Sequence, residues 1–266
     1  MFKLGEWFDK LRKRASKSGF GCDICKAELF DYPTHRICSA CKEALLYNDG
    51  HTCAKCGRKG VTEGVCLSCK SHVPAFDIGA SPFVYRGMTA SLVNRIKNGE
   101  RRLAYFFGEE LAQCCMGRFP ELKTQFDIGR YALNEETAPQ KLLILPVPLT
   151  EERRYERGYN QSREIALVFT DELNRLGISA ELDEETLIKR RETLAQKKLG
   201  YAARMQNAAG AYHVHKRKFC KDRTIILIDD IMTTGATGGE CARVLKHAGA
   251  KTVYFLTLAS LPENKK

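Results

Sequence analysis

Residues 225–240 read IILIDDIMTTGATGGE and concentrate the chemistry of this chain. Apolar residues run into two adjacent carboxylates, Asp229 and Asp230. A loop of small residues follows, Thr233, Thr234, Gly235, Ala236 and Thr237, and then a helical pattern begins. In a parallel α/β fold, ligands bind at the C-terminal ends of strands. A small-residue loop entering a helix offers a phosphate its backbone N–H groups and the positive end of the helix dipole. The threonines add hydroxyl donors, and Gly235 lets the backbone approach closely. Two acids are badly sited for the phosphate itself. They suit a sugar's hydroxyls, or a magnesium ion beside it. No Gly-Lys-Ser/Thr follows the glycine, so this is not a Walker loop.

Two further segments suit anions. After Pro146-Val147-Pro148 come Arg153, Arg154 and Arg157, then Gly158, in a loop ahead of a helical pattern. Arginine's planar fork matches pyrophosphate bidentately; a solvated basic loop has the same composition. The third segment carries Gln196, Lys197, Lys198 and Arg204. Such a polar, basic stretch is a candidate flexible loop that closes over an anion and expels water. An ordinary surface loop reads the same way.

Eight of the twelve cysteines form four CxxC pairs: Cys22/Cys25, Cys38/Cys41, Cys53/Cys56 and Cys66/Cys69. That spacing reads as two structural zinc sites. Twelve residues separate Cys25 from Cys38 and nine separate Cys56 from Cys66, so each half reads as two knuckles joined by a short hairpin. Sequential pairing is the simple assumption, and spacing leaves a crossed pairing open. The rival, a disulfide framework, needs an oxidising compartment. The N-terminus has early charges and no apolar signal core, which argues against secretion.

The elements that must position these residues follow from periodicity. Residues 1–20 form a basic lead. Residues 21–74 form the cysteine module, too small to bury much apolar surface, so metal would supply its folding free energy. Residues 75–262 form the remaining domain, with a core expected to be separate from the module's. Residues 81–85 are strand-like, helical spacing follows through Leu111, and 124–140 read as a loop. Strands over 142–147, 225–228 and 252–258 alternate with helices over 161–176 and from 236 to near 249. The fold class is therefore α/β, a mostly parallel sheet flanked by helices.

The charge is 43 Lys+Arg against 32 Asp+Glu, formally +11. Two tetrathiolate zinc sites would take about 4 from it. A basic protein suits a polyanionic partner, nucleic acid or phosphate ester. No apolar run approaches the roughly 18 residues of a membrane span, so stable membrane insertion is not expected.

These residues resemble the competence protein F family (ComF, ComFC), bacterial proteins with a double zinc ribbon and a phosphoribosyltransferase domain. The resemblance spans nearly the whole chain. It includes the CxxC pairs, Pro74-Ala75-Phe76-Asp77, Tyr85-Arg86-Gly87, Ile96-Lys97, Pro146-Val147-Pro148-Leu149, Arg157-Gly158-Tyr159-Asn160-Gln161, and Thr193, Gln196, Arg204, Asn207 and Gly210. Residues 225–240 resemble the 5-phosphoribosyl-1-pyrophosphate (PRPP) motif of type I phosphoribosyltransferases. The resemblance implies a type I phosphoribosyltransferase-like sheet. It implies PRPP with magnesium as ligand, Arg153, Arg154, Arg157 and Gly158 on pyrophosphate, residues 233–237 on the 5′-phosphate, and Asp229 and Asp230 on the ribose. It implies a cytoplasmic protein that assists incoming single-stranded DNA in natural transformation, with a DExD/H-type translocase as partner.

The alternative is an active phosphoribosyltransferase releasing pyrophosphate to a nucleobase or other acceptor. A third reading makes PRPP only a regulatory signal. Only Leu261 to Lys266 follow Ser260, leaving no evident base-reading segment, which favours the first. For DNA, basic side chains at 189–191 and 216–218 are the candidate contacts.

Overall fold

The computed structural model describes residues 21–130, 140–191 and 207–263. The basic lead and the candidate flexible-loop residues Gln196, Lys197, Lys198 and Arg204 lie outside them.

A six-stranded parallel sheet organises the chain. Its strands are β1 (Ile78–Ala80), β2 (Phe83–Val84), β3 (Leu142–Pro146), β4 (Ala180–Leu182), β7 (Thr224–Met232) and β8 (Thr252–Ser260). The order is β1-β8-β7-β3-β4, with β2 pairing further along β8. β5 (Leu187–Lys189) and β6 (Tyr212–Val214) form a separate antiparallel pair. Sequence periodicity marks three of the sheet strands and the strand-like 81–85; β1 and β4, three residues each, carry too little pattern to read.

The helices are α1 (Ser39–Glu43), α2 (Leu67–Ser71), α3 (Gly87–Lys97), α4 (Leu103–Arg118), α5 (Glu121–Gln125), α6 (Glu151–Arg157), α7 (Gln161–Arg175), α8 (Arg217–Cys220) and α9 (Ala236–His247). The near-continuous apolar runs in the strands are explained by burial on both faces. Leu142, Ile144, Ile226, Ile228 and Leu256 join one cluster with Ile96 of α3, Phe107 of α4 and Phe169 of α7. Their neighbours Leu143, Leu145, Ile225, Leu227 and Phe255 join the other, with Leu245 of α9 and Tyr212 of β6. The period of two is that of a pleated strand. Residues 124–140 are not simply a loop, since α5 ends at Gln125 and a 3₁₀ turn spans Ile128–Arg130.

The cysteine module has no separate core, which corrects the expectation. Cys22, Ile24, Cys41 and Leu45 belong to the first apolar cluster. Cys53, Cys56, Val61, Cys66 and Cys69 belong to the second. A segment this short buries apolar surface by sharing the sheet's. Backbone bonds seal the junction: Val84 N–H to the Leu46 carbonyl (2.8 Å) and Gly79 N–H to the Lys55 carbonyl (2.7 Å).

Candidate functional site

Asp229 and Asp230 lie within β7, which runs on to Met232, rather than at a free strand end. The helix α7 delivers its first residues to them. Asn160 caps it, accepting from Ser162 N–H at 3.0 Å and donating to the Val147 carbonyl at 3.1 Å. Ser162 Oγ then donates to Asp229 Oδ1 at 3.1 Å, and Gln161 Nε2 donates to Asp230 Oδ2 at 2.8 Å. Lys97, the last residue of α3, places Nζ 3.1 Å from the same Asp230 oxygen. Gln161, Ser162 and Asp230 are buried, and Asp229 is half-buried. The acids are therefore built into a network.

Burial and then the adjacent Asp230 carboxylate push the Asp229 carboxyl up to about 7, against the Asp230 N–H, Lys97 and Ser162. The acid pair thus does not carry two full negative charges at neutral pH, because like charges this close disfavour each other.

The loop after β7 turns directly into α9. Gly235 is left-handed (φ +81°) and caps α9, as glycine does without strain. Ala236 N–H donates to Thr234 Oγ1 at 3.3 Å, and Gly239 N–H closes the first turn on the Gly235 carbonyl at 2.7 Å. Thr233, Thr234 and Thr237 are half-buried around this first turn. The twelve-residue α9 aims its positive end at the mouth of the loop.

The three arginines stand in a helix, not in a loop. Thr150 caps α6, Glu151 and Glu152 occupy its first turn, and Gly158 (φ +71°) ends it. This capping pattern is legible in the sequence. The helix sends its arginines apart. Arg157 Nη1 donates to Gln161 Oε1 at 2.9 Å and so joins the acid-pair network. Arg153 pairs with Glu156 at 3.6 Å. Arg154 and Gly158 line an open cavity of about 760 Å³ with Arg101, Arg163 and Glu184. Of the candidate pyrophosphate residues, Arg157 is tied to the acids through Gln161. Lys97 and Ser162 are the functional candidates that sequence reasoning missed. Ile96-Lys97 lay in the family pattern without a role.

The cysteines form two clusters, Cys22/Cys25/Cys38/Cys41 and Cys53/Cys56/Cys66/Cys69, with the four sulfurs of each within 4.8 Å of one another. Pairing is sequential. The Sγ–Sγ separations Cys25–Cys38 and Cys56–Cys66 are both 3.7 Å. A tetrahedron with Zn–S of about 2.3 Å has edges of about 3.8 Å, whereas a disulfide needs about 2.05 Å. Backbone N–H groups point at sulfur, as thiolate ligands require: Cys38 to Cys22 Sγ (3.4 Å), Cys66 to Cys53 Sγ (3.2 Å). The residues fit two zinc ions.

No protein-family model matches the chain. Competence protein ComFC of Bacillus subtilis (strain 168) is 25% identical over 250 residues, covering 91% of each chain. The DNA utilization protein YhgH of Salmonella typhimurium is 32% identical over 223 residues, 84% of this chain and 89% of its own. The chain belongs to the competence protein F family. Members of this family thus carry the names of competence and DNA-utilization proteins. Among solved structures, glutamine PRPP amidotransferase of B. subtilis is 17% identical over 75% of this chain and 32% of its own, with a TM-score of 0.30. The four CxxC pairs, part of that resemblance, form two four-cysteine clusters. Among the described residues, no helix is long and apolar enough to cross a membrane.

Proposed function

We propose that the chain binds PRPP with magnesium at the acid pair and the 233–237 loop, and that this site serves a cytoplasmic protein handling single-stranded DNA in natural transformation, beside a DExD/H-type translocase. One observation carries the ligand: an acid pair held in place by Lys97, Gln161 and Ser162 leads directly into the Gly235-capped N-terminus of α9. The α9 terminus would take the 5′-phosphate. Asp229 and Asp230 would take the ribose hydroxyls and the magnesium ion, which would shield the pyrophosphate. Arg157, already anchored through Gln161, would meet pyrophosphate, with Gly158, Arg153 and Arg154 in the adjoining turn. The DNA role rests on the relatives' names.

Titration calorimetry of PRPP and of ribose 5-phosphate, with and without magnesium, tests the site. PRPP should bind more tightly with magnesium, and ribose 5-phosphate should compete. No binding of either rejects the assignment.

The second reading, phosphoribosyl transfer to an acceptor with pyrophosphate leaving, is favoured by Asp229, whose carboxyl sits near neutrality and could take a proton from a nucleophile. Pyrophosphate release on adding nucleobases separates the two readings.

A further inference from the structure

The two halves of the cysteine module are built alike, yet they differ at one position that faces the phosphate loop. Cys22 N–H donates to the Ala27 carbonyl at 2.7 Å, and Cys53 N–H donates to the Arg58 carbonyl at 2.9 Å. Arg58 thus stands where the first half has Ala27. The residue is 6% exposed, and its Nη2 donates to the Thr233 carbonyl at 2.7 Å.

The contact is braced on both sides. Gly57 (φ +72°) presses so closely on β1 that a Cβ there would meet the Gly79 carbonyl oxygen at 2.6 Å. Phe76, packed in one apolar cluster with the four cysteines of the second half, lies under Gly235, where a Cβ would meet its ring at 3.7 Å. The second cysteine cluster therefore touches the loop through one polar and one apolar contact.

We propose that Arg58 is a positioning residue that couples metal occupancy of the second cysteine cluster to the conformation of the phosphate loop. A buried guanidinium needs counter-charge. Four thiolates around zinc supply it, with a net charge of about −2. With the metal gone, the knuckle closed by the Cys53 N–H to Arg58 carbonyl bond loses its anchor, and the guanidinium no longer holds Thr233 in place. By linkage, a ligand that favours the ordered loop favours metal retention in the second cluster and not in the first. The role of the loop in binding rests on the phosphate-site reading above; the coupling itself does not.

The test uses the full chain with its metal. Hydrogen–deuterium exchange is followed in the peptide containing Gly239, whose N–H closes the first turn of α9. Arg58→Met is expected to keep two zinc ions per chain while exchange in that peptide quickens about tenfold, the scale of one charged hydrogen bond. Its affinity for ribose 5-phosphate should fall by about the same factor. Unchanged exchange with both metals retained overturns the proposal. Should Arg58→Met not fold, Cys22→Ser and Cys53→Ser answer the same question. Cys53→Ser should quicken exchange at Gly239 by more than Cys22→Ser does, and equal effects from both overturn the coupling. A wild-type chain that binds no ribose 5-phosphate removes the phosphate-site reading and leaves the exchange comparison standing.

Discussion

Lys97 Nζ lies 3.1 Å from Asp230 Oδ2, the same oxygen that accepts from Gln161 Nε2. A cation at the end of α3 and an acid inside β7 thereby lock a helix to the sheet at the site itself. Removing the carboxylate leaves that cation without its partner. Asp230→Asn is expected to lose stability as well as PRPP affinity. The stability loss should be about 1–3 kcal/mol, the scale for a charged group losing its partner. Each charge-assisted bond to ligand is worth about 1.5–3 kcal/mol, roughly 10–150-fold in affinity. Lys97→Met in the same background should recover part of the stability and none of the binding. Urea unfolding of the four-member cycle measures this, and strict additivity would show that the pair is not coupled.

Asp229 should make stability fall as pH rises. Its folded carboxyl titrates near 7 against an ordinary value of 3.8. Between about pH 4 and 7 the native state therefore holds a proton that the unfolded chain has released. That contribution is fully present below pH 4 and is lost by about pH 7. Asp229→Asn removes it, so wild type should lose on the order of 3–4 kcal/mol more than the variant across this window. Unfolding curves at pH 4.5 and 7.5 for both proteins decide the matter; parallel losses would mean that Asp229 is ionised throughout.

Elemental analysis of protein prepared without chelator should give two zinc ions per chain, one for each cysteine cluster. Cys22→Ser and Cys53→Ser should each retain one. Each should also lower the melting temperature of the whole chain, because each cluster shares an apolar core with one face of the sheet. An unchanged transition for the α/β part in either variant would contradict the shared core.

Binding of single-stranded DNA should weaken steeply from 50 to 200 mM salt, since phosphate contacts release counterions. Within the basic runs, several residues are already engaged: Lys216 with Asp183 and Glu185, Arg191 with the carbonyls of Asn207 and Ala209. The exposed Arg190 and Lys218 are the contacts to test. Arg190→Glu or Lys218→Glu should reduce the salt slope by about 1. An affinity independent of salt would exclude an electrostatic mode of binding.

Much of the site was legible because its signals are local. The CxxC spacing reflects the reach of one knuckle around one ion. The run from Ile225 to Glu240 names strand, acids, loop and helix in order, and each is found there. The helical state of Arg153, Arg154 and Arg157 was legible too, in Thr150, Glu151, Glu152 and Gly158, but the basic composition suggested a loop.

What the sequence by itself determined, then, is the chemistry available: eight thiols in ligand spacing, two adjacent acids, a loop fit for an anion, and strands apolar enough for burial on both faces. Only the tertiary structure decided which of these act together. It paired the CxxC motifs in sequence, tied Arg157 to the acids through Gln161, and brought Lys97 to Asp230. It also brought Arg58 to Thr233, 175 residues away in sequence. Spacing along a chain reports what one turn, strand or knuckle brings within reach. Contacts between distant elements depend on sheet order and on which helix covers which face, and those are set by the packing of the whole core.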